Sequence, residues 1–408
     1  MLKVKVVKML QLGMVTFTQN SYILVEGTPA TDRFYILQSG KVRCYHETQL
    51  PGNSNVMLGP GDFVGVIPCM TGHSQTETVV AVTNVTAIIV KREQYPELIA
   101  HNTSVAMKII RAFSRNMRSL NDNLTKITLK KTSIETPEHL FTTASYFQKI
   151  GNFEAAVYGY YQYLKQCPNG QSIDDAVKYF KALKPKVNAP YLESTSDLLR
   201  VYAKGNMIFS ECQTGADMFI IQEGSVRISR VVDGSEVTLA LLKKGDMFGE
   251  MALLENKPRS ACAIAHENCK LMTINRANFD QMVATQAQLI ARLTTTLADR
   301  LWSMYRQLVN TQLKEPREKM VDMLALQIEV KKITVAKGTG YNTDLTPNDI
   351  AKLCGYTDSE ANTPIEFFIR DQNVRIIEGK IYVPDVAELV RQAAFYRKQN
   401  NRRAIEAK

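Results

Sequence analysis

Ile36-Leu37-Gln38-Ser39-Gly40-Lys41-Val42-Arg43 and Ile220-Ile221-Gln222-Glu223-Gly224-Ser225-Val226-Arg227 are two copies of one pattern, 184 positions apart. The same shift lays Gly61-Asp62-Phe63-Val64-Gly65 on Gly245-Asp246-Met247-Phe248-Gly249, and Val79-Val80-Ala81 on Ala263-Ile264-Ala265. A constant offset across three blocks marks an internal duplication. Each copy consists of short alternating or β-branched runs, such as residues 34–37, 42–45, 226–232 and 237–242, broken by Gly, Asp and Asn. Closely spaced short strands with such turn signals predict an antiparallel jelly roll in each copy. Gly40 and Gly224 fall inside strand pattern, where glycine marks a tight turn or bulge.

The chain has 408 residues, enough for two to four compact domains. Its 45% apolar and 22% charged residues exclude a disordered chain. No apolar run approaches the roughly 18 residues of a membrane span. At the start, Lys3, Lys5 and Lys8 interrupt alternating apolar residues as far as Phe17, which reads as a first strand or helix and not as a secretory leader. A cytoplasmic protein without a membrane partner is expected. Seven scattered cysteines without a CxxC pair, and five dispersed histidines, predict reduced thiols and no metal site. Neither a nucleophile–base pair nor a cofactor motif is visible, so an enzyme is not expected. The net charge of +10 suits an anionic partner without identifying it.

In the second copy the strand pattern runs into Phe248-Gly249-Glu250-Met251-Ala252-Leu253-Leu254-Glu255-Asn256-Lys257-Pro258-Arg259-Ser260-Ala261. This run resembles the phosphate-binding cassette of cyclic-nucleotide-binding domains, found in Crp/Fnr regulators, the regulatory subunit of protein kinase A and cyclic-nucleotide-gated channels. The resemblance covers residues 199–308. It implies that Gly249, Glu250, Met251, Ala252, Arg259, Ser260 and Ala261 hold a cyclic mononucleotide; family analogy favours cAMP, while the sequence does not choose between cAMP and cGMP. The residue types fit. A cyclic phosphodiester is a compact monoanion that a forked guanidinium such as Arg259 matches, and the N–H groups opening a short helix from Met251 would share its charge. Glu250 is an acceptor suited to a ribose hydroxyl. Gly249 lets the backbone approach closely. The alternative is a structural Glu250–Arg259 ion pair inside an unliganded jelly roll. In the first copy, Val66 and Gln75 stand at the positions of Glu250 and Arg259. Without charge partner and acceptor, that barrel is expected to be structural or regulatory, or to take a different ligand through His73, Ser74 and Gln75.

A helix follows each barrel. Ala106, Ile110, Phe113, Met117, Leu120 and Leu124 form one apolar stripe; Ile290, Leu293, Leu297, Leu301, Met304 and Leu308 form another. The second is expected to zip a homodimer, with packing on its own domain as the alternative. Trp302 and Tyr305 on that helix are candidates to stack on a base, or else core or interface residues. Between the barrels, residues 137–170 resemble one tetratricopeptide unit, with Leu140, Ala144, Phe147, Gly151, Phe153, Ala156, Tyr160 and Pro168 as packing positions and a rigid spacer as the expected role.

After the second barrel, Leu345-Thr346-Pro347-Asn348-Asp349-Ile350-Ala351-Lys352-Leu353-Cys354-Gly355 opens a segment resembling the winged helix-turn-helix of Crp/Fnr regulators. A second helix is expected over 358–372, then a hairpin around Glu378-Gly379. The helix that would read DNA is degenerate: Asp358, Ser359 and Glu360 open it, Pro364 interrupts it, and only Asn362 and Arg370 are candidate DNA contacts. The basic residues Arg391, Arg397, Lys398, Arg402 and Arg403 could neutralise phosphates. The expected architecture is α+β and multidomain: a jelly roll with its helix (1–130), a tetratricopeptide-like helical connector (131–190), a cyclic-nucleotide-binding jelly roll with a long helix (191–314) and a winged-helix-like segment with a basic tail (315–408). The function this implies is a cyclic-nucleotide sensor that regulates transcription, or alternatively an adaptor that contacts proteins and reads no DNA.

Overall fold

The computed structural model describes residues 12–46, 55–129, 136–193, 195–232, 234–356 and 360–406. The strand or helix expected at the very start, as far as residue 11, and the Asp358 and Ser359 of the degenerate reading helix lie outside the described residues.

The first copy contributes β1 (Gly13–Phe17), β2 (Tyr22–Leu24), β3 (Arg33–Ser39), β4 (Val42–Tyr45), β5 (Val56–Leu58), β6 (Phe63–Val64), α1 (Val66–Thr71), β7 (Thr78–Ala81) and β8 (Val85–Lys91). Its two antiparallel sheets run β1-β8-β3-β6 and β2-β7-β4-β5 around Leu24, Leu37, Val42, Val64, Val79 and Val85. Next come α2 (Tyr95–His101), α3 (Thr103–Leu129), α4 (His139–Lys149), α5 (Phe153–Gln166) and α6 (Ile173–Leu183). The second copy contributes β9 (Leu199–Tyr202), β10 (Met207–Phe209), β11 (Met218–Glu223), β12 (Ser225–Val232), β13 (Ser235–Lys243), β14 (Met247–Phe248), α7 (Glu250–Glu255), β15 (Cys262–Ala265) and β16 (Cys269–Ile274). Its sheets, β14-β11-β16-β9 and β10-β15-β12-β13, repeat the first pair strand for strand. The chain ends in α8 (Arg276–Thr285), α9 (Ala287–Asn310), α10 (Pro316–Val330), β17 (Tyr341–Asn342), α11 (Pro347–Leu353), α12 (Asn362–Ile369), β18 (Arg375–Ile377), β19 (Lys380–Val383) and α13 (Val386–Glu406). No helix among the described residues is long and apolar enough to cross a membrane.

The shared glycine has a steric cause. Gly40 and Gly224 have φ of +83° and +78°, and a Cβ at either would collide with a backbone carbonyl, that of Asn84 or Asn268. Each turns the chain from one sheet to the other. The offset is 184 from the third strand of each copy onward, but 185 for the first two strands: Phe34 pairs with Val90 where Met218 pairs with Ile274, whereas Tyr22 pairs with Val80 where Met207 pairs with Ile264. The first copy therefore carries one extra residue between its second and third strands.

The chain divides into two compact units, one made of the described residues as far as Phe113 with Ala277–Trp302, the other of Ser114–Arg276 with the described residues from Ser303 onward. The expected dimer stripe is spent within the chain: Ile290, Leu293, Leu297, Leu301, Met304 and Leu308 are all buried. Apolar side chains already covered offer a second copy nothing to bury, so this stripe is corrected from interface to core. In the connector, α4 and α5 pack on each other, with Leu140, Ala144, Phe147, Ala156 and Tyr160 buried as expected of packing positions and Phe153, the first residue of α5, left exposed. In the last segment, Thr346 caps α11 and Asp349 closes the capping box. The following helix is shorter than expected, Asn362–Ile369 instead of 358–372. It starts late enough that Pro364 lies in its first turn, where a missing N–H costs no hydrogen bond.

In the second unit a buried ionic cluster ties connector to barrel. Glu211 Oε1 lies 2.8 Å from His139 Nε2 and accepts from Val231 N at 3.0 Å; Glu211 Oε2 is 3.5 Å from Arg230 Nε. Arg230 Nη1 also reaches Asp122 Oδ1 of α3 at 2.5 Å. Removing the carboxylate leaves His139 buried without its anionic partner and takes one of the two carboxylates from Arg230, so Glu211→Ala is expected to lower unfolding free energy by about 3 kcal/mol, read by denaturant titration. Burial opposes the charged form of His139, but hydrogen bonding and attraction to Glu211 prevail and raise its pKa above the ordinary 6.5. A raised folded value means the contribution is complete below about pH 6.5 and fades as pH climbs through the folded pKa. NMR titration of His139 should show a midpoint above 6.5, and stability should fall as pH rises from about 6.5 through that midpoint in the native chain but not in His139→Gln.

Candidate functional site

Phe248 ends β14, and Gly249 turns the chain into α7 with φ 80°, the left-handed region. Glu250, the first residue of α7, is fully buried. The helix ends at Asn256, also left-handed at φ 53°, and the chain returns through Pro258 to Arg259. The backbone of Arg259 pairs with the turn after β10: Cys212 N donates to Arg259 O at 2.8 Å, and Arg259 N donates to Gln213 O at 2.9 Å.

The Arg259 side chain is buried as well. Its Nη1 donates to Gly249 O and its Nη2 to Asp217 O, both at 2.7 Å, while Cζ sits 4.2 Å from the centroid of the Phe209 ring. Phe209, Phe219 and Phe248 form a ring cluster beneath it, with centroids 5.3–6.1 Å apart. Burial pushes the guanidinium down to about 10, opposed by Tyr158, Asp217 and Glu250. It therefore stays charged at neutral pH. Nε–H has no acceptor among the described residues. Gly249 is needed twice over here, since a Cβ would stand 2.9 Å from Arg259 Nη1 in a left-handed conformation.

The structure thus brings Gly249, Glu250 and Arg259 together at the start of α7. Met251, Ala252 and Ala261 are buried beside them, and Ser260 Oγ faces Met251 Sδ at 3.7 Å. The far end of the cassette is anchored on α3. Ser114 Oγ donates to Glu255 Oε1 at 2.6 Å, Arg118 Nε to Glu255 Oε2 at 3.1 Å and Arg118 Nη2 to Pro258 O at 3.2 Å. Sequence reasoning missed this anchor, and it missed Phe209, Asp217 and Tyr158. Only the periodicity of α3 hinted at a buried face, and nothing in the sequence named its partner.

Trp302, read either as a base contact or as a core or interface residue, is buried. Its indole stacks on the His73 imidazole, centroids 3.6 Å apart and planes within 11°, and His73 Nε2 lies 3.4 Å from Asp299 Oδ1. The imidazole covers one face of the indole, and the side chain is buried, as the core reading has it; His73 is thereby engaged with α9. Tyr305, one turn on, is half-buried. In the first barrel Gly65 keeps the left-handed turn, but Val66 and Gln75 are buried where the second barrel has Glu250 and Arg259. Asn362 and Arg370, the candidate DNA contacts, are exposed at opposite ends of the eight-residue α12. Of the basic tail, Arg397 reaches the buried Asp322, and Arg391 pairs with Glu388 at 2.7 Å. These two cations are neutralised within the chain.

Two segments match the family model of the cyclic nucleotide-binding domain, residues 14–102 and 199–286. Among curated proteins, the chain is similar to the cyclic AMP receptor protein of Thermus thermophilus, 27% identical over 197 residues that make up 48% of this chain and 88% of the relative. It is also similar to the cAMP-dependent protein kinase regulatory subunit of Mycosarcoma maydis, 31% identical over 99 residues, covering 23% of this chain and 19% of the relative. Among solved structures, a CooA variant from Carboxydothermus hydrogenoformans matches with a TM-score of 0.41 at 18% identity, covering 48% of this chain and 87% of that one.

Gly249→Ala is expected to destabilise the protein by about 1–3 kcal/mol, the usual cost of a non-glycine residue forced into a strained backbone region, with further loss from displacing Arg259. Urea titration of the variant measures the first, and NMR of the Arg259 side-chain Nε–H resonance the second.

Proposed function

We propose that this protein is a non-enzymatic cyclic-mononucleotide sensor that binds its ligand in the second barrel, cAMP being favoured, and passes the signal to a winged-helix segment that regulates transcription. The observation that carries the reading is Arg259: a charged guanidinium buried beside the start of α7, within the field of the Glu250 carboxylate, with an Nε–H edge still to be matched. A cyclic phosphate supplies the anion and its ribose supplies the hydroxyl for Glu250. Gly249, Met251, Ala252, Ser260 and Ala261 would line the same turn. The family match of both barrels and the regulators among the relatives support it. The first barrel, with Val66 and Gln75 at these positions, would serve as scaffold.

The transcriptional output rests on α11, α12 and the β18–β19 hairpin, which turns at Glu378-Gly379 with both residues left-handed. Helix, turn, helix and hairpin in this order fit a winged helix-turn-helix, with α12 in the reading position. One observation favours the adaptor reading instead: Phe367, Ile369, Ile376, Ile377 and Phe395 are exposed on this segment. Apolar side chains there suit a protein surface better than base edges or phosphates. Selection from a random duplex library separates the two, because an enriched operator sequence excludes the adaptor.

Calorimetry with cAMP and with cGMP tests the sensor itself. The native chain is expected to bind one of them near micromolar affinity. Arg259→Ala should weaken binding by about 2–4 kcal/mol, roughly 30- to 1,000-fold, because it strips a charge partner from a desolvated anion. Arg259→Lys, which keeps the charge without the fork, should fall between. Affinity unchanged in both variants would refute the assignment.

A further inference from the structure

The connector does more than space the barrels. The loop 210–217 carries the Asp217 carbonyl on which Arg259 rests, and its polar contacts come largely from residues preceding the barrel. Tyr158 of α5 is buried, and its hydroxyl lies 3.3 Å from Gln213 Oε1 and 3.1 Å from Gln213 Nε2. Gln213 Oε1 in turn accepts from Ser210 N at 3.0 Å. About two turns further along α5, Gln166 Oε1 accepts from Thr214 N at 2.9 Å. At the end of the loop, Asp217 Oδ2 lies 3.3 Å from Arg200 Nη2, and the Arg200 guanidinium stands 5.7 Å from the Tyr191 ring centroid.

The loop needs these ties. Cys212 adopts φ 62°, a left-handed conformation that costs a side-chain-bearing residue about 1–3 kcal/mol unless its surroundings enforce it. The first copy has Gly27, φ 78°, at the same place in its turn. The second copy thus holds by contacts a shape that the first obtains from glycine.

We propose that Tyr158 is a positioning residue for the cyclic-nucleotide site: with Gln166 it fixes the 210–217 loop, and through it the Asp217 carbonyl and the Arg259 guanidinium, so that the connector forms a wall of the site and registers its occupancy. This rests on reading the second barrel as the ligand site. A phosphate that draws Nη2 away from Asp217 O releases the loop at one end while α5 holds it at the other. Ligand binding and connector packing are thereby coupled.

The test is a double-substitution cycle on the full chain, read by calorimetry with cAMP and cGMP. Tyr158→Phe keeps the ring and removes only the hydroxyl, so the fold is retained. It should weaken nucleotide binding about five- to tenfold, the loss expected for one buried hydrogen bond. Arg259→Lys should weaken it more, and the double variant should be no weaker than Arg259→Lys alone, because both act through one guanidinium. Losses that multiply, or an unchanged affinity in Tyr158→Phe, overturn the proposal. Hydrogen exchange of the ligand-free chain separates its two halves: Tyr158→Phe should speed exchange at Thr214 and at Arg259 N while β12 and β13 keep their protection. A native chain that binds neither nucleotide defeats the ligand reading and this role with it. Exchange unchanged at Thr214 and Arg259 defeats the relay even where nucleotide binds.

Discussion

A guanidinium removed from water is unfavourable until carbonyls, rings or anions replace what water gave it, and the second barrel is arranged around that requirement. Gly249 O and Asp217 O each accept one N–H from Arg259, and Phe209 presents its face at 4.2 Å. Each support dictates something else in the fold. Gly249 must be left-handed and without a Cβ. Asp217 must stay at the mouth of β11, and Phe209 must sit on a floor of two further rings. The cassette is then closed from outside by Ser114 and Arg118 of α3, which fasten Glu255 and Pro258. A single buried cation thus draws on a barrel, a connector helix and the helix leading out of the first barrel.

Much of this was legible in the residues. The duplicated block with its glycine announced two like barrels, and the steric reason is local: a carbonyl lies where a Cβ would go, at both places. The run from Gly249 to Arg259 was likewise legible because turn chemistry and charge type are written along one short stretch. What could not be read were contacts between distant stretches. Periodicity shows that α9 has an apolar face but not what covers it, and the stripe turned out to be buried inside its own chain. Trp302 shows an aromatic ring and not the His73 stacked on it. Tyr158 was not singled out among the residues of the helical hairpin, since nothing near it in sequence mentions Gln213. The start of α12 moved because Pro364 is acceptable in a first turn and nowhere later.

In the last segment part of the obvious charge is consumed internally. Asp322 lies within reach of Arg306 and Arg397 and accepts from Asn310, joining α9, α10 and α13. Asp371 accepts from Arg317 and Gln392. Arg397 of the tail is thus turned inward, while α12 and the hairpin show apolar side chains outward.

The two barrels also separate two kinds of constraint inside one molecule. Where sterics alone rule, at Gly40 and Gly224, both copies keep the same residue. Where only a bound anion would demand a particular side chain, the copies differ: Val66 and Gln75 against Glu250 and Arg259. The first barrel is in effect an internal control with both charged side chains erased, built in the same order of strands and present in every experiment on the second.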